Sequence, residues 1–162
     1  MVPVVLLSVL AAALGGGASA QEDVPICVVA NLPASAGTVD LDLVRRLFLL
    51  RQRFWPDGSA AHPVNLPASS EIRERFSVAT FGESVKELVP YWNERYFHGT
   101  RPPPTVASEA AVLLFVERTP GGVGYVREPM TRDLPDGVRE LLCVPAEDRS
   151  DPSSASPAVN TG

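Results

Sequence analysis

The stretch 40–58 constrains the fold of this chain most, because it combines an amphipathic helix pattern with a sharply defined stop. Its apolar side chains recur at intervals of three and four residues, namely Leu41, Val44, Leu47 and Phe48. This spacing places them on one face of a helix, while the charged residues of the stretch fall away from that face. The sequence therefore predicts a helix with one buried face.

Residues 55–58, with the sequence Trp-Pro-Asp-Gly, are predicted to form a turn after this helix. Proline fixes the backbone angle φ, aspartate can bond the backbone beyond it, and glycine accepts a positive φ. The basic residues Arg51 and Arg53 lie at or past the C-terminal end of the helix, where the helix dipole favours positive charge. We interpret them as the solvated end of a scaffold helix, and expect a strand after the turn.

The length and the composition predict one folded domain built from short elements. The 162 residues are 45% hydrophobic and 20% charged, which is typical of a globular protein. Sixteen prolines and twelve glycines indicate many turns, which argues against a simple helical bundle. The net charge of -5 argues against a nucleic-acid partner, since proteins that neutralise phosphates are normally basic.

Apolar runs and capping signals along the rest of the chain predict a mixed order of strands and helices. The continuous apolar run 25–30 suits a central strand covered on both faces. Further strands are predicted at 61–66, 123–126 and 139–144, and helices at 72–79, at 84–97 and after Ser108. We expect a single α/β domain in which a central mixed sheet carries helices on both faces.

The helix predicted at 84–97 is rich in aromatic side chains, namely Tyr91, Trp92, Tyr96 and Phe97. Such a set is either a stacking platform for sugars or bases, or part of the hydrophobic core. Large aromatic residues at helical spacing usually fill a core, so we favour the second interpretation.

Both termini of the chain have compositions that differ from the predicted domain at 21–145. Residues 1–20 carry no charged side chain, contain an apolar run and end in Ala-Ser-Ala, as a secretory signal peptide does. An uncleaved anchor is the alternative. Residues 146–162 are rich in Ser, Pro and Ala and are predicted to be a disordered tail. The protein is accordingly expected to be periplasmic or secreted after removal of the signal peptide.

The cysteines Cys27 and Cys143 lie in apolar runs near the two ends of the predicted domain. In an oxidising compartment a disulfide between them would contribute roughly 4 kcal/mol by the loop-entropy model. Two buried free thiols are the alternative, and we favour the disulfide because a sheet that pairs its first and last strands would bring them together. The only histidines are His62 and His98, and no CxxC motif occurs, so no metal or other cofactor is expected.

The hydroxyl pair Ser69 and Ser70 precedes the helix predicted at 72–79. These serines either cap that helix or, with its free N–H groups, form a site for an anion or a carbonyl group. Glu71 already supplies the negative charge that the helix dipole favours, so the capping role is preferred from the residues alone. No nucleophile or metalloprotease motif is present, and we expect a binding module, not an enzyme.

Several motifs, taken in order, resemble the phosphate-type substrate-binding proteins of ABC importers. They are VVAN from Val28, the helix ending in WPDG at Gly58, FHGTRPP from Phe97, and TPGGVGYV ending at Val126. The resemblance covers about a hundred residues and implies a type II periplasmic-binding-protein-like fold in a short, single-domain form. Phosphate or another small oxyanion is the ligand class that the resemblance implies.

The resemblance fails at the phosphate-binding motif of the full-length receptors. These place an arginine before Ser-Gly-Thr, whereas residues 66–72 here are Leu-Pro-Ala-Ser-Ser-Glu-Ile. We expect any ligand to lie where strand ends meet helix starts, near four residues: Asn31, Ser69, Ser70 and Ser108. The alternative is a ligand-free interaction or sensory module that keeps the fold and binds a membrane-protein partner of the cell envelope.

Overall fold

The computed structural model describes residues 24–33 and 37–145. The signal peptide predicted at 1–20 and the tail predicted at 146–162 lie outside the described residues. Within the described residues, no helix is both long enough and apolar enough to cross a membrane.

A four-stranded mixed sheet forms the centre of the molecule. The strands are β1 (Ile26–Asn31), β2 (His62–Pro63), β3 (Gly122–Arg127) and β4 (Val138–Val144), and their order is β2-β3-β1-β4. β1 pairs antiparallel with both β3 and β4, whereas β2 runs parallel to β3. The mixed sheet predicted from the sequence is therefore confirmed.

The helices are α1 (Leu41–Phe48), α2 (Glu71–Phe81), α3 (Val89–Phe97) and α4 (Glu109–Arg118), followed by a 3-10 helix, Glu128–Asp133. α1 begins at Asp40, whose carboxylate accepts a hydrogen bond of 2.7 Å from the backbone N–H of Leu43. Serine side chains cap α2 and α4 in the same way. The starts of these three helices thus follow the capping signals in the sequence.

Neighbouring residues of β3 show that helices cover both faces of the sheet, since successive strand residues point to opposite sides. The ring of Tyr125 stacks on Phe76 of α2 with centroids 3.8 Å apart, and also contacts Phe48 of α1. A side chain added at Gly124 would instead overlap Val112 of α4. α1 and α2 therefore lie on one face and α4 on the other, as the predicted fold class requires.

The central strand β1 is buried along almost its whole length, with residues 26–30 at most 1% exposed. This confirms the prediction made from its continuous apolar run. Cys27 of β1 lies directly opposite Cys143 of β4 in the strand register, and the two form a disulfide. The first and last strands are neighbours, as the interpretation of the cysteines assumed.

Two elements are shorter than predicted, and Pro90 explains why one of them, the helix α3, begins late. Ser84 and Glu87 form the expected reciprocal capping contacts, at 2.7 Å and 3.2 Å, but regular α-helix begins only at Val89. Pro90 fits the first turn of a helix and would clash in its interior, so the helix starts beside it. The strand predicted at 61–66 is reduced to β2 and an isolated bridge between Asn65 and Thr105.

The prediction that the aromatic residues of 84–97 fill the core is wrong. α3 contains no buried residue, and Tyr96 and Phe97 are 60% and 85% exposed. The interior aromatic side chains come from elsewhere in the chain, namely Phe48, Trp55, Phe76 and Tyr125. Tyr91 and Trp92 are half-buried, whereas no described element covers Tyr96 and Phe97 at the end of the helix.

Candidate functional site

Two pockets adjoin the loop 66–70, which leads from the Asn65 bridge into α2, and both are lined by Leu66. The first, here called the serine pocket, has a volume of about 300 Å³ and is lined by Ser69, Ser70, Ser108 and Glu109 among others. The second, here called the arginine pocket, has a volume of about 290 Å³ and includes Asn65, Arg73, Trp92 and Thr105 in its lining.

The serine pocket lies where the N-termini of α2 and α4 meet. The hydroxyl oxygen of Ser70 accepts a hydrogen bond of 3.4 Å from the N–H of Arg73, and that of Ser108 accepts one of 3.2 Å from Ala111. Each hydroxyl hydrogen remains available for donation, and the first-turn N–H groups of a helix have no intrahelical partner. Two helix dipoles therefore direct their positive ends to one pocket.

The negative charge of Glu109, which also lines the serine pocket, is neutralised by an ion pair. Its carboxylate accepts hydrogen bonds of 2.7 Å from the backbone N–H and from the guanidinium Nη2 of Arg127. The hydrogen bonding between the two side chains raises the pKa of Arg127 above its ordinary value. The pocket therefore holds a paired carboxylate and several neutral donors, while Glu71, the first residue of α2, is exposed and is not part of its lining.

Asn31 does not join the predicted serines. Its side-chain amide donates a hydrogen bond of 2.8 Å to the carbonyl oxygen of Glu117, near the C-terminal end of α4. Ser108 lies at the other end of this ten-residue helix, about 15 Å away along its axis. The structure thus brings Ser69, Ser70 and Ser108 together around one pocket and places Asn31 at the opposite end of α4.

The arginine pocket contains a buried cation, the guanidinium of Arg73. This residue is 9% exposed, its Nη1 lies 3.4 Å from the hydroxyl of Tyr125, and its buried Nε has no hydrogen-bond partner. No carboxylate among the described residues forms an ion pair with it. Burial lowers the pKa of Arg73, because loss of water disfavours the charged form.

The hydroxyl of Tyr125 connects Arg73 to the loop. It accepts hydrogen bonds from Arg73 and from the N–H of Leu66, the latter 3.2 Å long, and lies 3.4 Å from the side-chain oxygen of Asn65. Burial raises the pKa of Tyr125 to about 12, so the group is a neutral phenol at physiological pH. The indole nitrogen of Trp92, in the lining of the same pocket, is also buried without a partner.

Arg73 was not among the site residues predicted from the sequence, because the apolar residues of α2 do not indicate its burial. The buried residues of α2 are Arg73, Phe76, Ser77 and Thr80, which follow the spacing i, i+3, i+4 and i+7. Three of these four residues are polar, so hydrophobic periodicity does not identify this face as the buried one. A charged residue on a buried helical face is uncommon, and such a position is a candidate for a functional role.

Among the described residues, one cluster has the composition of a metal site, and it consists of Cys27, Glu140 and Cys143. Both cysteines are joined in the disulfide, so neither offers the thiolate that binds a metal ion.

No protein-family model matches this chain, and no curated protein sequence matches it significantly. Solved structures do share its fold. An ABC-type phosphate transport receptor from Vibrio cholerae superposes with a TM-score of 0.56 at 16% sequence identity, covering 74% of this chain and 46% of the receptor. PstS from Borrelia burgdorferi gives a TM-score of 0.56 at 12% identity, with the same coverage of 74% and 46%. This chain thus spans less than half the length of either receptor. The likeness supports the predicted type II periplasmic-binding-protein-like fold class and does not identify a ligand.

Proposed function

We propose that this protein is an exported, non-enzymatic solute-binding-like protein whose ligand is phosphate or another small oxyanion. One observation carries the proposal: the N-termini of α2 and α4 open onto one pocket, together with the hydroxyls of Ser69, Ser70 and Ser108. Backbone N–H groups, hydroxyl donors and helix dipoles are the groups that bind oxyanions in proteins. The solved receptors with this fold are phosphate transport proteins, which agrees with the proposed ligand class.

Export is supported by the disulfide between Cys27 and Cys143. Structural disulfides persist in oxidising compartments such as the bacterial periplasm and are rare in the cytosol. The uncharged, apolar segment 1–20 has the pattern that directs such export.

A titration with inorganic phosphate tests the proposed ligand. Isothermal titration calorimetry would compare the wild-type protein with Ser70→Asp and Ser108→Asp. Aspartate is as good an N-cap as serine, so α2 and α4 should keep their stability, but each new carboxylate repels an anion. We expect phosphate binding by the wild type and at least a tenfold loss of affinity in both variants. The matched control is Asp40→Ser, which exchanges the same two capping residues at α1, outside the serine pocket.

A second candidate function, a ligand-free interaction module, is favoured by the exposed aromatic residues of α3. Tyr96 and Phe97 present apolar surface that no described residue covers. The same titration separates the two candidates. Absence of a heat signal with phosphate and sulfate at millimolar concentration would reject the oxyanion site and favour an envelope protein partner.

A further inference from the structure

We infer that the arginine pocket is a second binding site, whose ligand is a small organic carboxylate. The inference rests on Arg73, Asn65 and Trp92, none of which lines the serine pocket, so it stands apart from the proposed function.

Arg73 provides the positive charge in the arginine pocket. Arg73 as a whole residue is 9% exposed, and its guanidinium makes one long contact, to a phenol hydroxyl. No carboxylate among the described residues serves as its counterion. A buried charge of this kind destabilises a protein unless an opposite charge compensates it. A bound anion supplies that charge, and a planar carboxylate matches the fork of N–H donors that a guanidinium presents.

Two further residues in the lining of the arginine pocket, Trp92 and Asn65, have groups that can donate hydrogen bonds. The indole Nε1 of Trp92 is buried without a partner and can only donate. Asn65 is 4% exposed, and its side-chain oxygen already faces the hydroxyl of Tyr125, which leaves its amide N–H groups unused. An ionised carboxylate accepts hydrogen bonds and donates none, so it satisfies this set of donors.

The rest of the lining selects an anion with an apolar body. Leu66, Leu88, Val89 and Pro103 contribute apolar wall to the pocket. One cation and no carboxylate line it, so a monoanion neutralises the site, whereas a dianion such as a phosphate ester would leave a buried negative charge. The volume of about 290 Å³ lies just below the range for ligand pockets, which is roughly 300–1,000 Å³. The ligand is therefore small.

Calorimetric titration of the full protein with benzoate, benzamide and acetate tests whether the ligand needs both a negative charge and an apolar body. Benzoate has both the charge and the apolar body, benzamide is its neutral counterpart, and acetate has the head group alone. We expect benzoate to bind at least tenfold more tightly than either of the other two. Inorganic phosphate should not compete with benzoate, since it belongs to the serine pocket.

Three variants locate the binding. Arg73→Met should lose at least tenfold in benzoate affinity, and Trp92→Phe, which removes one donor, should lose about three- to tenfold. Arg118→Met is the matched control, because it removes an exposed arginine from α4 that does not line the pocket, and it should bind benzoate like the wild type.

A stability measurement separates a ligand site from a structural role of Arg73. If Arg73 serves a ligand, Arg73→Met without ligand should unfold at a urea concentration equal to or higher than that of the wild type, because a buried, uncompensated charge has been removed. Equal binding of benzoate and benzamide, or benzoate binding that survives Arg73→Met, would overturn the inference. So would absence of benzoate binding at millimolar concentration. If Arg73→Met fails to fold, Arg73→Lys keeps the charge but loses the planar fork, and unchanged benzoate affinity in that variant and in Trp92→Phe would also overturn it.

Discussion

The indole nitrogen of Trp55 donates a hydrogen bond of 3.0 Å to the carbonyl oxygen of Gly121, 66 residues further along the chain. Trp55 is 2% exposed, and the same carbonyl accepts a second hydrogen bond of 3.0 Å from the N–H of His62 at the start of β2. The turn after α1 is thereby joined to the reversal that precedes β3. The helix and turn at 40–58 therefore determine where β2 lies in the sheet.

Trp55→Phe should destabilise the protein by about 2–3 kcal/mol. The substitution removes a buried hydrogen bond, worth about 1 kcal/mol, and leaves a void where the larger ring lay. Urea unfolding followed by circular dichroism measures the change. Phe54→Leu is the control, since Phe54 is the neighbouring aromatic residue and is 57% exposed, so its substitution should change stability by less than about 0.5 kcal/mol. Equal effects of the two substitutions would contradict the role assigned to Trp55.

Gly121→Ala should cost more than Gly99→Ala, although the two glycines have nearly the same backbone conformation, with φ of 75° and 76°. A methyl group at Gly121 would overlap the carbonyl oxygen of Ala60, whereas the space around Gly99 is open. We expect a loss of about 1 kcal/mol at Gly99 from the positive φ alone, and of at least about 3 kcal/mol at Gly121. The two urea midpoints measure the difference, and equal midpoints would show that the loop relaxes around the methyl group.

Local patterns predicted much of this fold because its elements are short and clearly bounded. The apolar run before Asn31, the Trp-Pro-Asp-Gly turn and the capping serines each specify local structure without reference to distant residues. The turn forms as expected, with a hydrogen bond of 2.9 Å from Gly58 to the carbonyl of Trp55 and a φ of 85° at Gly58. The pairing of Cys27 with Cys143 followed from the further assumption that the first and last strands are neighbours, which the sheet confirms.

What the sequence did not predict depends on contacts between distant parts of the chain. The exposure of Phe97 follows from the absence of a covering element among the described residues, which the pattern of α3 does not encode. Arg73 is buried because it packs beside Tyr125, 52 residues later in the chain. The meeting of Ser70 with Ser108 was predictable as two helix starts. Asn31 lies apart from them because β1 runs antiparallel to β3 while β2 runs parallel to it, so that β1 and β2 end at opposite ends of the sheet.

Removal of the disulfide should lower the free energy of unfolding by about 4–5 kcal/mol. The bond joins residues 116 positions apart, and the loop-entropy model gives a value of this size for such a loop. Urea unfolding of the double variant Cys27→Ala/Cys143→Ala measures the loss, and the wild type treated with a phosphine reductant should approach the same stability. The reductant should leave the double variant unchanged, which controls for other effects of reduction. A loss below about 1 kcal/mol would show that the unfolded chain is not constrained by this bond.

The buried phenol of Tyr125 should make the protein less stable at high pH. Its pKa is raised from 10.0 to about 12 by burial, so between these values the unfolded chain loses the proton while the folded protein keeps it. The unfolded state then binds fewer protons, and the free energy of unfolding falls as pH rises, by roughly 2–3 kcal/mol in all. This contribution is fully present below pH 10.0. Tyr125→Phe lacks the titrating group. The difference in unfolding free energy between this variant and the wild type should therefore be constant below pH 10.0 and should change by roughly 2–3 kcal/mol above it. Urea midpoints of both proteins at intervals from pH 8 to 11.5 test the prediction, and a difference that does not vary with pH would show that Tyr125 ionises equally in the folded and unfolded states.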